Sequence, residues 1–287
     1  MIKIIKKFMY HITNKKSVYL VDSDNDLDFI TFSIEKEKLL GIDTEFSWRS
    51  TYFPILSLLQ IATKNKIFLI DCLKCKKLKI LKKILEDKDK LIIFHSSRND
   101  TTALYTNLKI KVENVFDIQI AEKNITGGDI KNYGSIIKKY FDINLKKTET
   151  NSNWLKRPFS KDQLSYAAED VSFLIETHKK QVKILRRLNL LKLTIKESKK
   201  ESNLGNQDLH ISRIKKLNKM TNFEKEIFYW REKYAEKNNI PPSFICSDKN
   251  LKILLKRIKN KTINKDFCNE IFNKPNLVDD FFRDMKL

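Results

Sequence analysis

Four short apolar runs constrain the fold of this chain more than any other feature. They read KLLGIDTEF, LSLLQIAT, KIFLIDC and KLIIFHS, and they lie between residues 38 and 96. Runs of this length that are rich in Ile and Leu and bounded by polar residues predict buried β-strands. Only a short polar turn near residue 65 separates the second run from the third. Residues 39–72 are therefore predicted to form a three-stranded antiparallel meander.

Segments with helical spacing alternate with these strands. LKILKKILED and NDTTALYTNL flank the fourth run, which indicates an α/β fold with a mixed sheet. Closer to the N-terminus, KKSVYLVDS predicts a strand and DLDFITFSIEK a helix. Apolar residues at i, i+3 and i+4 predict further helices in VFDIQIAEKNI, GSIIKKYF and the long DQLSYAAEDVSFLIETHKKQVKILRRL.

The C-terminal part of the chain has a different organisation. TIKESKKESNLGNQ, at 194–207, is polar and lacks an apolar face, so it is predicted to be a linker. Beyond it, LHISRIKKL, NFEKEIFYWREKYAEKN and DKNLKILLKRIKN are amphipathic, and Pro241 and Pro242 interrupt them. The predicted domains are thus an α/β domain at 1–193 and a small all-α domain at 208–287.

The net charge indicates the kind of binding partner, and the cysteine content indicates the cellular compartment. The net charge is +21, which favours a polyanionic partner such as nucleic acid, although a composition rich in Lys, Asn and Ile also fits an AT-rich genome.

Four cysteines in 287 residues do not suggest a disulfide framework, so we expect a reducing cytoplasm. Cys72 and Cys75 form a lone C-x-x-C, for which ordinary thiols are favoured over a zinc or redox site. No apolar stretch reaches 18 residues, so we expect a soluble protein without a membrane partner.

Several acidic residues lie on or next to the predicted strands and helices, in positions that make them candidate catalytic residues. Asp43 and Glu45 alternate on one strand, so their side chains share a face and repel each other unless a cation lies between them. A lysine or a divalent ion is the candidate cation, and an exposed strand end is the alternative. Asp100 follows the fourth strand, where a helix N-terminal acid is the alternative to catalysis. Tyr166 and Asp170 are four residues apart on one helix face, whereas Glu169 is expected to point elsewhere.

Taken together, GIDTEF, FHSSRND and YAAED resemble the three motifs of the DEDD superfamily of 3′→5′ exonucleases. A tyrosine four residues before the last aspartate is typical of the tyrosine branch; Ser165 stands where the histidine branch has His. Residues 41–185 are similar to the ribonuclease D family in particular, with TYFPILSLLQIA and LKKTETNSNWLKRPFSKDQLSYAAEDVSFL as further matches. Asn153 and Phe159 depart from that pattern. FEKEIFYWREKYAEKNNIPPSFICSDKNLKILL resembles the HRDC helical domain, which is associated with nucleic-acid binding.

This resemblance implies a ribonuclease H-like mixed sheet with flanking helices and a metal-dependent 3′→5′ exoribonuclease. The products would be nucleoside 5′-monophosphates, and tRNA 3′ maturation would be the process. The implied metal ligands are four acids that hold two Mg²⁺ or Mn²⁺ ions about 3.5–4 Å apart: Asp43, Glu45, Asp100 and Asp170. Tyr166 is assigned to orienting the attacking water. A non-catalytic nucleic-acid-binding protein and a DNA 3′→5′ exonuclease remain as alternatives.

Substrate contacts are assigned by analogy to Phe46 and Thr44, which flank Glu45. Phe46 suits a stacking contact with the terminal base, and a core phenylalanine is an equal alternative. His95 is left out of the site as a core histidine. Trp154 and Arg157 are expected to hold a loop rather than to bind RNA. The expected partner is RNA with a free 3′ end, such as a tRNA precursor, and a monomer is favoured.

Overall fold

The computed structural model describes residues 7–8, 16–145, 149, 152–214, 220–273 and 276–286. The start of the predicted first domain, part of the motif at 145–154 and the end of the predicted helix at 209–217 lie outside them. The chain divides into two compact units. The first comprises residues 1–47 and 55–207, and the second comprises residues 48–54 and 208–287.

A mixed seven-stranded sheet forms the centre of the first unit. In the order β1-β2-β5-β4-β3-β6-β7, the pairs β1–β2, β5–β4 and β4–β3 are antiparallel, whereas β2–β5, β3–β6 and β6–β7 are parallel. The predicted meander of β3, β4 and β5 is therefore confirmed. The strands are β1 Lys7–Phe8, β2 Ser17–Val21, β3 Leu39–Ser47, β4 Ile55–Ala62, β5 Lys66–Asp71, β6 Leu91–Phe94 and β7 Val115–Asp117.

A β-bulge interrupts the pairing of β3 with β4 beside the acids. Glu45 pairs with Leu58 and Phe46 with Leu56, so Ser57 is an extra residue in β4. The Ser57 hydroxyl donates to the carbonyl of Trp154, and Arg157 donates to the Ser57 carbonyl at 3.1 Å. The bulge is thereby fixed to the loop that precedes α6.

Helices cover both faces of the sheet. One apolar cluster joins α1 and α3 to one face, and a second cluster joins α6 and α7 to the other. The helices of this unit are α1 Asp24–Glu35, α2 Lys82–Leu85, α3 Arg98–Leu108, α4 Ile118–Thr126, α5 Tyr133–Phe141, α6 Lys161–Ser172, α7 Leu174–Arg187 and α8 Leu191–Gly205. The predicted mixed α/β fold with flanking helices is confirmed.

Three details of the predicted elements are wrong. The predicted linker at 194–207 lies mostly within α8, whose small side chains are buried against α3 and β7. The long helix predicted from residue 162 is interrupted at Phe173, so α6 and α7 are separate. The segment VFDIQIAEKNI begins as strand β7 and becomes helix α4 only after Asp117, whose side chain accepts from the Gln119 amide.

The second unit is helical, in agreement with the all-α prediction. Its apolar cluster includes the fully buried Tyr52 from the 48–54 segment, together with Phe228, Leu254 and Phe281. Tyr52 donates its hydroxyl hydrogen to Glu232 at 3.0 Å. The helices are α9 Leu209–Ile214, α10 Asn222–Lys237, α11 Asp248–Lys259, α12 Lys265–Ile271 and α13 Asn276–Met285.

Two further expectations concern cysteines and membranes. Cys75 is buried with its thiol directed at the Val21 carbonyl, and burial raises its pKa to about 12. This environment is typical of an unreactive thiol. In the part of the chain that the structure describes, no helix combines the length and the apolar composition needed to span a bilayer.

Candidate active site

Strand β3 carries Asp43 and Glu45 on the face that α6 and α7 cover. It lies between β4 and β6 near the middle of the sheet. Helix α7 approaches the strand closely at Gly41, where an added Cβ atom would lie 3.0 Å from the Cβ atom of Leu174. The acids follow on the same face at positions 43 and 45, as the strand period requires.

Helix α6 supplies the next two predicted residues. Its first turn is fixed by a capping box in which Ser160 accepts from the Gln163 amide and the Gln163 side chain accepts from the Ser160 amide. Asp170 lies one turn beyond Tyr166. Carboxylate oxygens of Asp43, Glu45 and Asp170 lie within 4.8 Å of one another, which is close enough to bind one cation.

Asp100 reaches the same region from the first turn of α3, where it is buried. It is not one of the three acids within 4.8 Å, but it lies against Thr44 of β3. The Thr44 amide and hydroxyl donate to Asp100 Oδ1 at 3.1 Å and 2.6 Å. Asp100 is thus held next to the strand that carries Asp43 and Glu45.

The electrostatics of this cluster are unfavourable without a cation. Burial is the main reason why the pKa of Asp43 is raised to about 6. Burial, followed by the charges of Asp43 and Asp170, raises the pKa of Glu45 well above its ordinary range. Burial and the charge of Asp43 do the same to the pKa of Asp100. A divalent cation would stabilise the ionised carboxylates, and a set of carboxylate oxygens fits hard ions such as Mg²⁺ or Mn²⁺.

A cleft of about 330 Å³ opens onto Asp43, Tyr166 and Asp170. His95 and Tyr133 form part of its wall, with ring centroids 5.6 Å apart. Its other lining residues include Asn132, Leu145 and Glu169, so Glu169 borders the same cleft as Tyr166 and Asp170, in contrast to the prediction from helix spacing.

The sequence patterns did not indicate His95 and Tyr133 as cleft residues. The His95 side chain contacts the carbonyl of Lys131 at 3.2 Å, and the Tyr133 hydroxyl accepts from the amide of Phe173 at 3.2 Å. The position of His95 just after a buried strand, five residues before Asp100, was the available signal. Tyr133 carried no comparable signal because it lies outside all three acidic motifs.

Phe46, Thr44 and Arg157 make contacts that stabilise the folded first unit. Phe46 is half-buried and packs against the core cluster that contains Ile42. The Thr44 hydroxyl is buried and donates to Asp100. Substrate contacts by Phe46 and Thr44 therefore stay predictions. Arg157 donates to both carboxylate oxygens of Asp71, at 2.7 Å and 2.8 Å, which fits the loop-holding role expected of it.

The residues of this site lie in the part of the chain that matches a known protein family. The model of the 3′–5′ exonuclease family matches residues 19–186, a range that contains every acid of the site and Tyr166. The chain belongs to this 3′–5′ exonuclease family.

Named members of the ribonuclease D type are similar over most of the chain. The ribonuclease D of Desulfotalea psychrophila is 29% identical over 248 residues, and that of Sphingobium indicum is 29% identical over 229 residues. These alignments cover 81% and 76% of this chain, but only 65% and 58% of the two relatives. The chain thus spans less than two thirds of the length of these relatives.

Several solved structures share the fold of this chain. Escherichia coli RNase D matches with a TM-score of 0.78 and 19% identity, over 93% of this chain and 73% of that one. Trypanosoma brucei RNase D in complex with RNA U12 matches with a TM-score of 0.53 and 22% identity, over 57% and 62%. Brucella melitensis NrnC with bound Mg²⁺ matches with a TM-score of 0.55 and 23% identity, over 65% and 92%. The likeness concerns the fold.

Proposed function

We propose that this chain is a 3′→5′ exoribonuclease that hydrolyses RNA from a free 3′ end to nucleoside 5′-monophosphates. The observation that carries the proposal is the convergence of Asp43, Glu45 and Asp170 within 4.8 Å, with Asp43, Asp170 and Tyr166 lining one cleft. Membership of the 3′–5′ exonuclease family supports the reaction and its polarity. The similarity to named ribonuclease D proteins supports RNA as the substrate.

The proposed cofactors are two divalent ions, Mg²⁺ or Mn²⁺, held by Asp43, Glu45, Asp100 and Asp170. Support comes from the donor set, which consists of hard carboxylate oxygens, and from the raised pKa values of three of these acids. The related NrnC was solved with bound Mg²⁺. When bound, such ions lower the pKa of the attacking water and offset charge on the departing 3′ oxygen.

The side chains of the cleft would orient the reactants. A tyrosine hydroxyl has an ordinary pKa of about 10, so at neutral pH it is a hydrogen-bond partner rather than an efficient base. We assign Tyr166 to orienting the attacking water on the side of Asp170. His95 and Tyr133 form a wall that would limit how far the terminal nucleotide enters. The cleft volume of about 330 Å³ is at the lower end of the range for small-molecule sites, which suits a single nucleotide.

The second unit is proposed to be HRDC-like and to contact the RNA. It contains a cleft of about 660 Å³ that is lined by Trp48 and Phe228 and by the basic side chains of Arg49, Arg213 and Lys252. Aromatic surfaces beside cations suit a base and its phosphate. T. brucei RNase D was solved with RNA U12, which supports RNA as the partner. A tRNA precursor as the physiological substrate, a monomer and a cytoplasmic location complete the proposal.

Cleavage of paired substrates tests the function. RNA and DNA of equal length, each with a 5′ label and with a free or a phosphorylated 3′ end, are incubated with Mg²⁺ or Mn²⁺. We expect free-ended RNA to shorten from its 3′ end and blocked RNA to persist. Equal cleavage of DNA would favour a DNA exonuclease, and binding without cleavage would favour a non-catalytic protein.

A pair of variants links the activity to the site. Asp170→Asn should abolish cleavage while RNA binding persists, because the basic surface is separate from the acids. Asp142→Asn is the matched control: Asp142 is an exposed acid of the same unit, paired with Lys138 at 2.7 Å. An active Asp170→Asn variant would remove Asp170 from the mechanism.

A further inference from the structure

Asp100 is the one predicted metal ligand whose helix begins without a side-chain cap of its own. The N-cap residue of α3 is Ser97, and its side chain forms no capping hydrogen bond. Ser96, just before it, has a φ of 68°, in the left-handed region that non-glycine residues seldom adopt. Contacts from outside the helix must therefore fix the turn that presents Asp100.

Asp117 provides the first of these contacts. Its side chain is fully buried and accepts from the amides of Ser96 at 3.0 Å, Ser97 at 2.7 Å and Gln119 at 2.9 Å. Its own amide donates to Ser198 Oγ at 3.0 Å. One carboxylate thus ties the start of α3 to the start of α4, and its backbone is tied to α8. Both of its oxygens act as acceptors, a role that an asparagine side chain can fill on one side only.

Helix α8 provides the second contact at Gly205. A Cβ atom added to Gly205 would lie 2.7 Å from the amide nitrogen of Thr102, and closer still to Thr101 Oγ1 and the Arg98 carbonyl. Thr101 Oγ1 also lies 3.2 Å from the Ser202 carbonyl oxygen. No side chain fits at position 205 unless the first turn of α3 moves, and Asp100 lies in that turn.

We propose that Asp117 and Gly205 are positioning residues that set the Asp100 carboxylate for cation binding. This inference rests on the proposed function and adds to it two residues that lie outside the acidic motifs. Groups that orient a metal ligand typically change metal affinity or activity about 10–100-fold when they are replaced. In each variant Asp100 remains in the sequence, but its carboxylate is displaced from the other three.

The test measures Mn²⁺ binding by isothermal titration calorimetry, and RNA cleavage as a function of Mn²⁺ concentration. Asp117→Asn and Gly205→Ala should each weaken Mn²⁺ binding about 10–100-fold and lower kcat. The KM for RNA should stay within about twofold, and added Mn²⁺ should restore part of the activity. A general loss of packing would not raise the Mn²⁺ requirement while leaving the KM for RNA unchanged.

Matched controls are Asp142→Asn for the acid and Gly128→Ala for the glycine. A Cβ atom at Gly128 would meet nothing closer than 3.6 Å, so that variant should bind Mn²⁺ like the wild type. The inference is overturned if folded Asp117→Asn and Gly205→Ala bind Mn²⁺ as tightly as the wild type. If either does not fold, Ser198→Ala decides: a higher Mn²⁺ requirement supports the inference, and an unchanged one overturns it. A wild type that binds Mn²⁺ but cleaves no RNA would refute the proposed function without affecting the binding comparison.

Discussion

Replacing Asp43 by Asn should stabilise the cation-free protein while it abolishes cleavage. The pKa of Asp43 is raised from 3.8 to about 6, mainly by burial. Each unit of difference between folded and unfolded states corresponds to about 1.4 kcal/mol, so the ionised carboxylate costs the folded state about 3 kcal/mol above pH 6. Asparagine has a similar shape and carries no charge, so the variant should regain about this amount.

The sign of the pH dependence follows from the direction of the shift. Between pH 3.8 and about 6 the folded protein retains a proton that the unfolded chain has released. The free energy of unfolding therefore falls as the pH rises through this window. The raised pKa values of Glu45 and Asp100 extend the decline to higher pH. The gain in the free energy of unfolding from Asp43→Asn should be largest near pH 8 and should disappear near pH 4.

Thermal unfolding with EDTA, followed by circular dichroism at pH 4 and pH 8, measures this difference. For a unit of about 200 residues, 1 kcal/mol corresponds to about 2–4 °C in Tm, so we expect an increase of about 6–12 °C at pH 8. Asp142→Asn, which removes an exposed acid, should change the Tm little. An Asp43→Asn variant with no gain at pH 8, or with the same gain at both pH values, would refute the reasoning.

Three further predictions concern the cleft and its support. Mg²⁺ or Mn²⁺ at 100 times its dissociation constant should stabilise the wild type by about 2.7 kcal/mol, and thermal scans with and without EDTA that coincide would contradict a cation site. Tyr166→Phe should lower kcat about 10²-fold with little change in RNA affinity, measured by single-turnover cleavage and fluorescence anisotropy. Arg157→Met should cost about 3–5 kcal/mol in urea unfolding, because it leaves the buried Asp71 carboxylate unpaired; Lys156→Met is its control.

Two pairs of predicted site residues were recognisable from local periodicity, whereas their grouping with Asp100 followed from the resemblance to the three exonuclease motifs. Asp43 and Glu45 follow the two-residue period of a strand, and Tyr166 and Asp170 follow the period of a helix. The pairing of β4 with β5 was predictable for a similar reason, since a short turn at residues 63–65 joins them, whereas the longer segment 48–54 joins β3 to β4. Local patterns of this kind are sufficient when the residues that must meet lie on one element or on adjacent ones.

The contacts that hold Asp100 were not predictable in this way. Asp117 meets Ser198 across 81 positions, and Thr101 meets Ser202 across 101. The small polar residues of α8 also produced the wrong prediction of a linker, because they are buried without being apolar. Small side chains allow α8 to approach α3 closely, and this use of serine and glycine gives no hydrophobic periodicity to detect.

The assignment of residues 48–54 to the second unit changes how the chain can be divided. Tyr52 is fully buried there, and Asn239 Oδ1 accepts from its amide at 3.1 Å. A fragment ending at residue 207 would leave an aromatic loop without its packing partners, and a fragment starting at 208 would lack the ring that fills its centre. A foreign helical module joined after residue 207 would therefore require replacement of residues 48–54, between β3 and β4, as well.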